Sequence, residues 1–121
     1  MENKVYDLKK RAYIYALEVI KFLEALPKDY ISQTLGKQLL RSATSVGANI
    51  IEAQASSSKK DFCNFYSHSL KSANESKFWL GLLKDSGKAS SDKVDVILNE
   101  TTELSNILAS SILTMKGRKR F

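Results

Sequence analysis

Residues 29–58, DYISQTLGKQLLRSATSVGANIIEAQASSS, carry Leu35, Leu39, Ala43, Val46 and Ile50 at steps of three and four. That spacing gathers the apolar side chains on one side of a helix, whereas a strand would need them at every second position. Asp29 precedes the run as an N-cap, because its carboxylate can accept from the unpaired amides of a first turn. Ser56, Ser57 and Ser58 interrupt the pattern, so a helix is predicted over about 30–55.

The same reading extends in both directions. Upstream, Val5, Leu8, Ala12, Ala16, Leu17, Ile20 and Leu23 form an apolar stripe over about 3–26, and Pro27 ends it, since the residue before a proline avoids the helical region. Downstream, Ser58-Lys59-Lys60-Asp61 resembles a capping box with a shorter acid. It opens a third helix over about 59–86, with Phe62, Phe65, Tyr66, Ser69, Ala73, Leu80 and Leu83 on one side. Gly87 suits its left-handed cap. Ser90 or Ser91 caps a fourth, over about 91–116, with Asp92 in its first turn and Val94, Ile97, Leu98, Thr101, Leu104, Leu108, Ile112 and Met115 as its stripe. No segment alternates with period two. The predicted fold is all-α: an antiparallel up-down-up-down four-helix bundle forming a single domain over 1–121, with a basic tail at 116–121.

Composition narrows the function classes. With 121 residues and 43% hydrophobic side chains the chain can build one core, and no apolar run approaches the roughly 20 residues of a membrane span. No membrane partner is expected. MENKVYDLKK lacks the apolar segment of a signal peptide, which predicts a cytoplasmic protein. Cys63 is the one cysteine, so neither an internal disulfide nor a multi-thiolate metal site can form. The net charge of +6 favours a polyanionic partner. The excess gathers in two places: residues 31–60, with Lys37, Arg41, Lys59 and Lys60, and the tail, with Lys116, Arg118, Lys119 and Arg120.

The middle of the second helix is unusually small, with Ser42, Ala43, Ser45, Gly47 and Ala48, and the third helix offers Ser69, Ser72, Ala73 and Ser76 at matching spacing. Small residues let backbones approach, so a tight contact is expected between these two helices or between subunits.

The stretch from Gln38 to Glu52, with Arg41, Ala43, Ser45, Val46, Asn49 and Ile50 at its core, resembles a bacterial family signature that continues through Ser58-Lys59-Lys60-Asp61-Phe62, Phe65, Ser72, Glu75 and Leu80. The family comprises the four-helix-bundle proteins encoded by intervening sequences in 23S ribosomal RNA genes, with relatives that accompany the reverse transcriptase of diversity-generating retroelements. The resemblance implies a homo-oligomer, typically a pentameric ring, with a basic surface able to touch RNA or DNA, and a reverse transcriptase or other protein as a further partner. It implies no catalytic residues and no cofactor. Ala53 stands where the family usually has Gly, and Ser56 where it often has a basic residue.

Two candidate sites follow. Arg41, Ser45 and Glu52 share one side of the second helix with Asn49 beside them, and Ser72 and Glu75 lie three apart on the third. Antiparallel packing brings Arg41 towards Glu75, giving a structural polar network in which Asn49 and Glu52 bond Ser72 or backbone. Such a network specifies register more than it stabilises. Its catalytic alternative, Glu52 and Glu75 as an acid–base or metal-binding pair, lacks the Glu-x-x-His motif of di-metal bundles. His68 sits about 140° round the helix from Cys63, so the two cannot share a metal. The glycines are scattered and form no phosphate loop. No catalytic residue, metal or cofactor is expected. The second candidate is a phosphate-binding surface of Lys37, Arg41, Lys59, Lys60, Lys116, Arg118, Lys119 and Arg120, salt-dependent and blind to base sequence. The function read from the sequence is therefore a non-enzymatic accessory protein binding nucleic acid, the alternative being a protein–protein scaffold whose charge is incidental.

Overall fold

A computed structural model describes the backbone from Lys4 to Gly117 and the side chains from Leu8 onwards. It holds four helices: α1 (Lys4–Glu24), α2 (Tyr30–Gln54), α3 (Lys59–Asp85) and α4 (Ser91–Gly117). Each packs on its chain neighbours, and α1 closes the circle against α4, giving the up-down-up-down bundle.

Local chemistry sets the helix ends. The Asp29 carboxylate accepts from the Ser32 amide at 2.9 Å and the Ser58 hydroxyl accepts from the Asp61 amide at 3.0 Å, each satisfying a first-turn donor. Gly87 adopts φ +78° after α3. The Gly87 amide then reaches the Lys84 carbonyl and the Lys88 amide the Leu83 carbonyl, the two bonds of a Schellman motif. α1 ends at Glu24, and a tight turn through Ala25 and Leu26 carries the chain to Pro27.

The core is formed by one side of each helix. On α1 that side is Leu8, Ala12, Tyr15, Val19 and Phe22, continued by Leu26 in the turn that follows. This corrects the predicted α1 stripe: Leu17 and Ile20 face solvent, because the helix has two apolar sides and Tyr15, Val19 and Phe22 supply the inner one. Leu39, Val46 and Ile50 of α2, Tyr66, Leu80 and Leu83 of α3, and Val94, Leu104 and Leu108 of α4 complete the interior.

Small residues close the α2–α3 seam, the most extensive helix contact in the molecule. The Ser42 and Ser76 hydroxyls meet at 2.8 Å, and Ser69 donates directly to the Val46 carbonyl at 2.8 Å. Gly47 serves a different neighbour, since a β-carbon there would stand 3.4 Å from the Ala12 β-carbon of α1. Two buried hydroxyl pairs cross the core. Thr101 of α4 donates to the Ile97 carbonyl, so its oxygen accepts the Tyr15 proton at 2.7 Å. Ser76 of α3 donates to the Ser72 carbonyl, leaving its own oxygen to Ser42 of α2. Hydroxyls thus tie α1 to α4 and α2 to α3, which favours a single register.

Candidate nucleic-acid interface

α3 begins and α4 ends at the same end of the bundle. There Lys59, Lys60, Cys63, Asn64, Met115 and Lys116 line an open cleft of about 460 Å³. Lys59 and Lys60 are exposed first-turn residues of α3, and Lys116 is exposed in the last turn of α4. The floor is soft and apolar: the buried Cys63 thiol donates to the Met115 sulfur at 3.6 Å. A second shallow groove, lined by Gln54, Ser56, Ser57 and Phe62, adjoins it and shares Lys59 and Met115. Helix N-termini present unpaired amides and a partial positive charge, so the start of α3 and the three ammonium groups act in the same direction on an anion. Asp61 is the acidic group in that turn.

The structure divides the predicted basic set. Lys59, Lys60 and Lys116 come together. Arg118, Lys119 and Arg120 follow Lys116 in the chain and lie outside the described residues. Lys37 is elsewhere, beside Leu23, Leu26 and Leu40, about 25 Å from the end of α2 by helical rise. Arg41 is held by a carboxylate. Its guanidinium donates to Glu75 of α3 and to the Gln38 side chain, at 2.9 Å for the shorter contact with Gln38. The Trp79 indole N–H donates to the same Glu75 oxygen at 2.8 Å. Those bonds, the Trp79 one foremost and then Arg41, hold the Glu75 carboxyl below its ordinary range.

The remaining polar residues of α2 and α3 do not extend this cluster. Ser45 donates to the Arg41 carbonyl and Asn49 to the Ser45 carbonyl, both within α2. Ser72 contributes its carbonyl to Ser76, and Glu52 is exposed near the end of α2. Gln38 and Trp79 are the side chains that bond the ion pair, while Asn49, expected to bond Ser72 or backbone, bonds backbone. The signals of Gln38 and Trp79 were present as i, i+3 and i, i+4 neighbours of Arg41 and Glu75. The cleft floor had no such signal, because Cys63 and Met115 are 52 positions apart. Among the described residues no three His, Cys, Asp or Glu side chains gather as a metal cluster, and no helix is long and apolar enough to cross a membrane.

Residues 4–110 match the family described as 23S rRNA-intervening sequence protein. The chain belongs to that family. A crystal structure of a protein of unknown function from the S23 ribosomal protein family of Bacteroides thetaiotaomicron is 34% identical, with a TM-score of 0.85 over 91% of this chain and 98% of that one. No curated protein matches. The matched residues include the α2–α3 seam, the Arg41–Glu75 pair and Lys59 and Lys60 of the cleft, while Met115, Lys116 and the basic residues after them lie past the match.

Proposed function

We propose that this protein is a non-enzymatic, cytoplasmic accessory protein that binds RNA or DNA through the basic end of its bundle and acts as a homo-oligomer. The observation that carries the reading is the convergence of Lys59, Lys60 and Lys116 on one cleft at the N-terminus of α3, with Arg118, Lys119 and Arg120 next in sequence. Phosphate contact by lysine ammonium groups and helix amides fixes position without reading bases. In the pentameric ring implied by the family resemblance, five chains of +6 would carry about 30 net charges, and weak single contacts would add through avidity. A ring of this kind could present nucleic acid to an enzyme, such as the reverse transcriptase that accompanies the retroelement relatives. The membership of Arg41 in an ion pair moves the proposed surface away from the middle of α2 and onto the bundle end.

The test is fluorescence anisotropy with labelled single-stranded, duplex and structured RNA and DNA, from low to physiological salt. Wild type should bind with a steep salt dependence. Replacing Lys59, Lys60 and Lys116 by Glu should weaken binding about tenfold or more and flatten the salt slope. The same loss on replacing Lys37 would instead place the surface on α2. Binding that vanishes at modest salt regardless of these residues would sink the nucleic-acid reading and leave the scaffold. The scaffold has one observation in its favour, the apolar outer side of α1.

A further inference from the structure

The two grooves at the basic end of the bundle differ in chemistry. One is the cleft of Lys59, Lys60 and Lys116, none of which forms an ion pair among the described residues. The other, of about 310 Å³, is lined by Phe62, Met115, the exposed Gln54 and the serines of the α2–α3 turn. The two share Lys59 and Met115, so a cationic surface and an aromatic one meet along a common edge. Beside the second groove lies a buried polar group. Tyr66 is 1% exposed, and its hydroxyl has no hydrogen-bond partner among the described residues. It stands four positions after Phe62, with the ring centroids 4.6 Å apart, and a helical side chain leans towards the start of its helix. The hydroxyl therefore points towards the bundle end, where the Gln54 side chain is its polar neighbour. A buried hydroxyl without a partner destabilises the free protein, and a ligand that fixes Gln54 in place removes that cost.

We infer that the two grooves together take one unpaired nucleotide of a single strand, its phosphate on the Lys59, Lys60 and Lys116 ammonium groups and its base in the second groove against Phe62. The face of a base is free in a single strand and stacked away in a duplex. A duplex can therefore meet the cleft through phosphate but leaves the second groove unfilled. Gln54 has a carbonyl that accepts and an NH2 group that donates. The carbonyl takes the Tyr66 proton, and the NH2 group donates to the edge of the base. Every base carries an acceptor on its edge, so the seat accepts a nucleotide of RNA or DNA without choosing its base. The inference rests on the nucleic-acid part of the proposed function and adds the form of strand that is bound.

Anisotropy at one moderate salt concentration tests it with three labelled ligands: a single strand, a duplex of the same length, and the same single strand carrying abasic positions. The abasic strand keeps its phosphates and lacks the bases. Wild type should bind the intact single strand about tenfold more tightly than the abasic one, and more tightly than the duplex. Phe62→Leu keeps an apolar side chain on the core and removes the ring, so it should bind intact and abasic strands alike. Tyr66→Phe should weaken the intact strand about threefold and leave the abasic strand unchanged. Because it deletes an unpartnered hydroxyl, it should not lower the thermal midpoint of the free protein. Equal affinity of wild type for intact and abasic strands, a duplex bound more tightly than the single strand, or a Tyr66→Phe loss that the abasic strand shares overturns the nucleotide seat and leaves phosphate binding in place. Failure to bind any of the three overturns the proposed function itself, and the seat with it.

Discussion

The bundle is closed on one side and open on the other. Along the α2–α3 seam the buried bridging groups are serine hydroxyls, one of which reaches straight to the backbone of the neighbouring helix, and the Arg41–Glu75 pair lies on the outer edge. Along the α1–α4 seam the outer bridge is long: Arg11 spans to both carboxylate oxygens of Glu100, at 2.7 and 3.1 Å. Ile14, Glu18, Val96 and Asn99 border an open groove around that bridge, and among the described residues the α1–α4 contact is the thinnest of the four. The two seams differ in what lies under their surface ion pairs. Under Arg41–Glu75, small serines bring α2 and α3 together, while around Arg11–Glu100 the surface stays open as a groove. The open side is also where α1 turns its second apolar stripe outward, so packing within the chain and the surface available to a partner are two results of the same residue choice.

Breaking the closed seam should have the largest effect. Ser76→Leu forces added volume into a fully buried position and removes the bond to Ser42, whose hydroxyl keeps the Leu39 carbonyl. Overpacking costs about 1–3 kcal/mol and the lost hydrogen bond about 1 kcal/mol more, so urea denaturation should show a loss of about 2–4 kcal/mol. On the open side, Glu100→Gln removes a partly exposed ion pair and should cost about 1 kcal/mol or less. Similar losses at the two seams would mean that what lies under the ion pairs does not separate them.

The buried Tyr15–Thr101 pair, which ties α1 to α4, offers a sharper probe. Tyr15→Phe removes the bond to Thr101, which keeps its own donation to Ile97, and should cost about 1 kcal/mol. It should also alter the alkaline limb. Burial raises the Tyr15 pKa above 10.0, outweighing the lowering by Thr101 and Ser76. The folded state therefore keeps its proton where the unfolded state has lost it. That contribution is full below about pH 10 and falls as pH rises further. Stability of wild type should drop more steeply above that pH than stability of Tyr15→Phe, with Tyr66, raised by burial in the same way, supplying the remaining slope.

Periodicity and turn chemistry account for how much of this was legible. Asp29, Pro27, Ser58 and Gly87 each have one dominant backbone reading, and the helix ends lie within two residues of their predicted positions. The side of α1 was misread for a physical reason. Its sequence carries two apolar stripes, and a count of apolar residues cannot tell one that packs against Leu39 and Val46 from one that awaits another surface. The buried hydroxyls were hidden for another reason: serine and threonine read as small or solvent-facing, and only the packed bundle sets Ser42 against Ser76 and Tyr15 against Thr101. The basic cleft was half legible. Lys59, Lys60 and Lys116 stand out as charges, but their convergence depends on α3 starting where α4 ends.

The smallest predicted effect lies on the outer edge of the closed seam, where Arg41, Glu75 and Trp79 form a surface cluster. The Arg41 and Glu75 side chains are 55% and 35% exposed, so solvent screens the pair, and Glu75→Gln should cost under about 1 kcal/mol. The pH dependence carries the sign. Glu75 is held below its ordinary value of 4.5, by the Trp79 indole first and Arg41 next. Its contribution is therefore present above that pH and is lost as the pH falls through the lowered value, when the carboxylate takes up a proton. Glu75→Gln should flatten the acid limb of stability below about pH 4.5 and leave the neutral region nearly unchanged. Trp79 is the chain's one tryptophan, so its emission reports the loss of the indole–carboxylate bond independently of unfolding. An emission shift with little change in stability would show that this pair orients the edge of α2 and α3 while the buried serines hold them together. A loss above about 2 kcal/mol would make the surface pair a principal tie and reverse the ranking of the two.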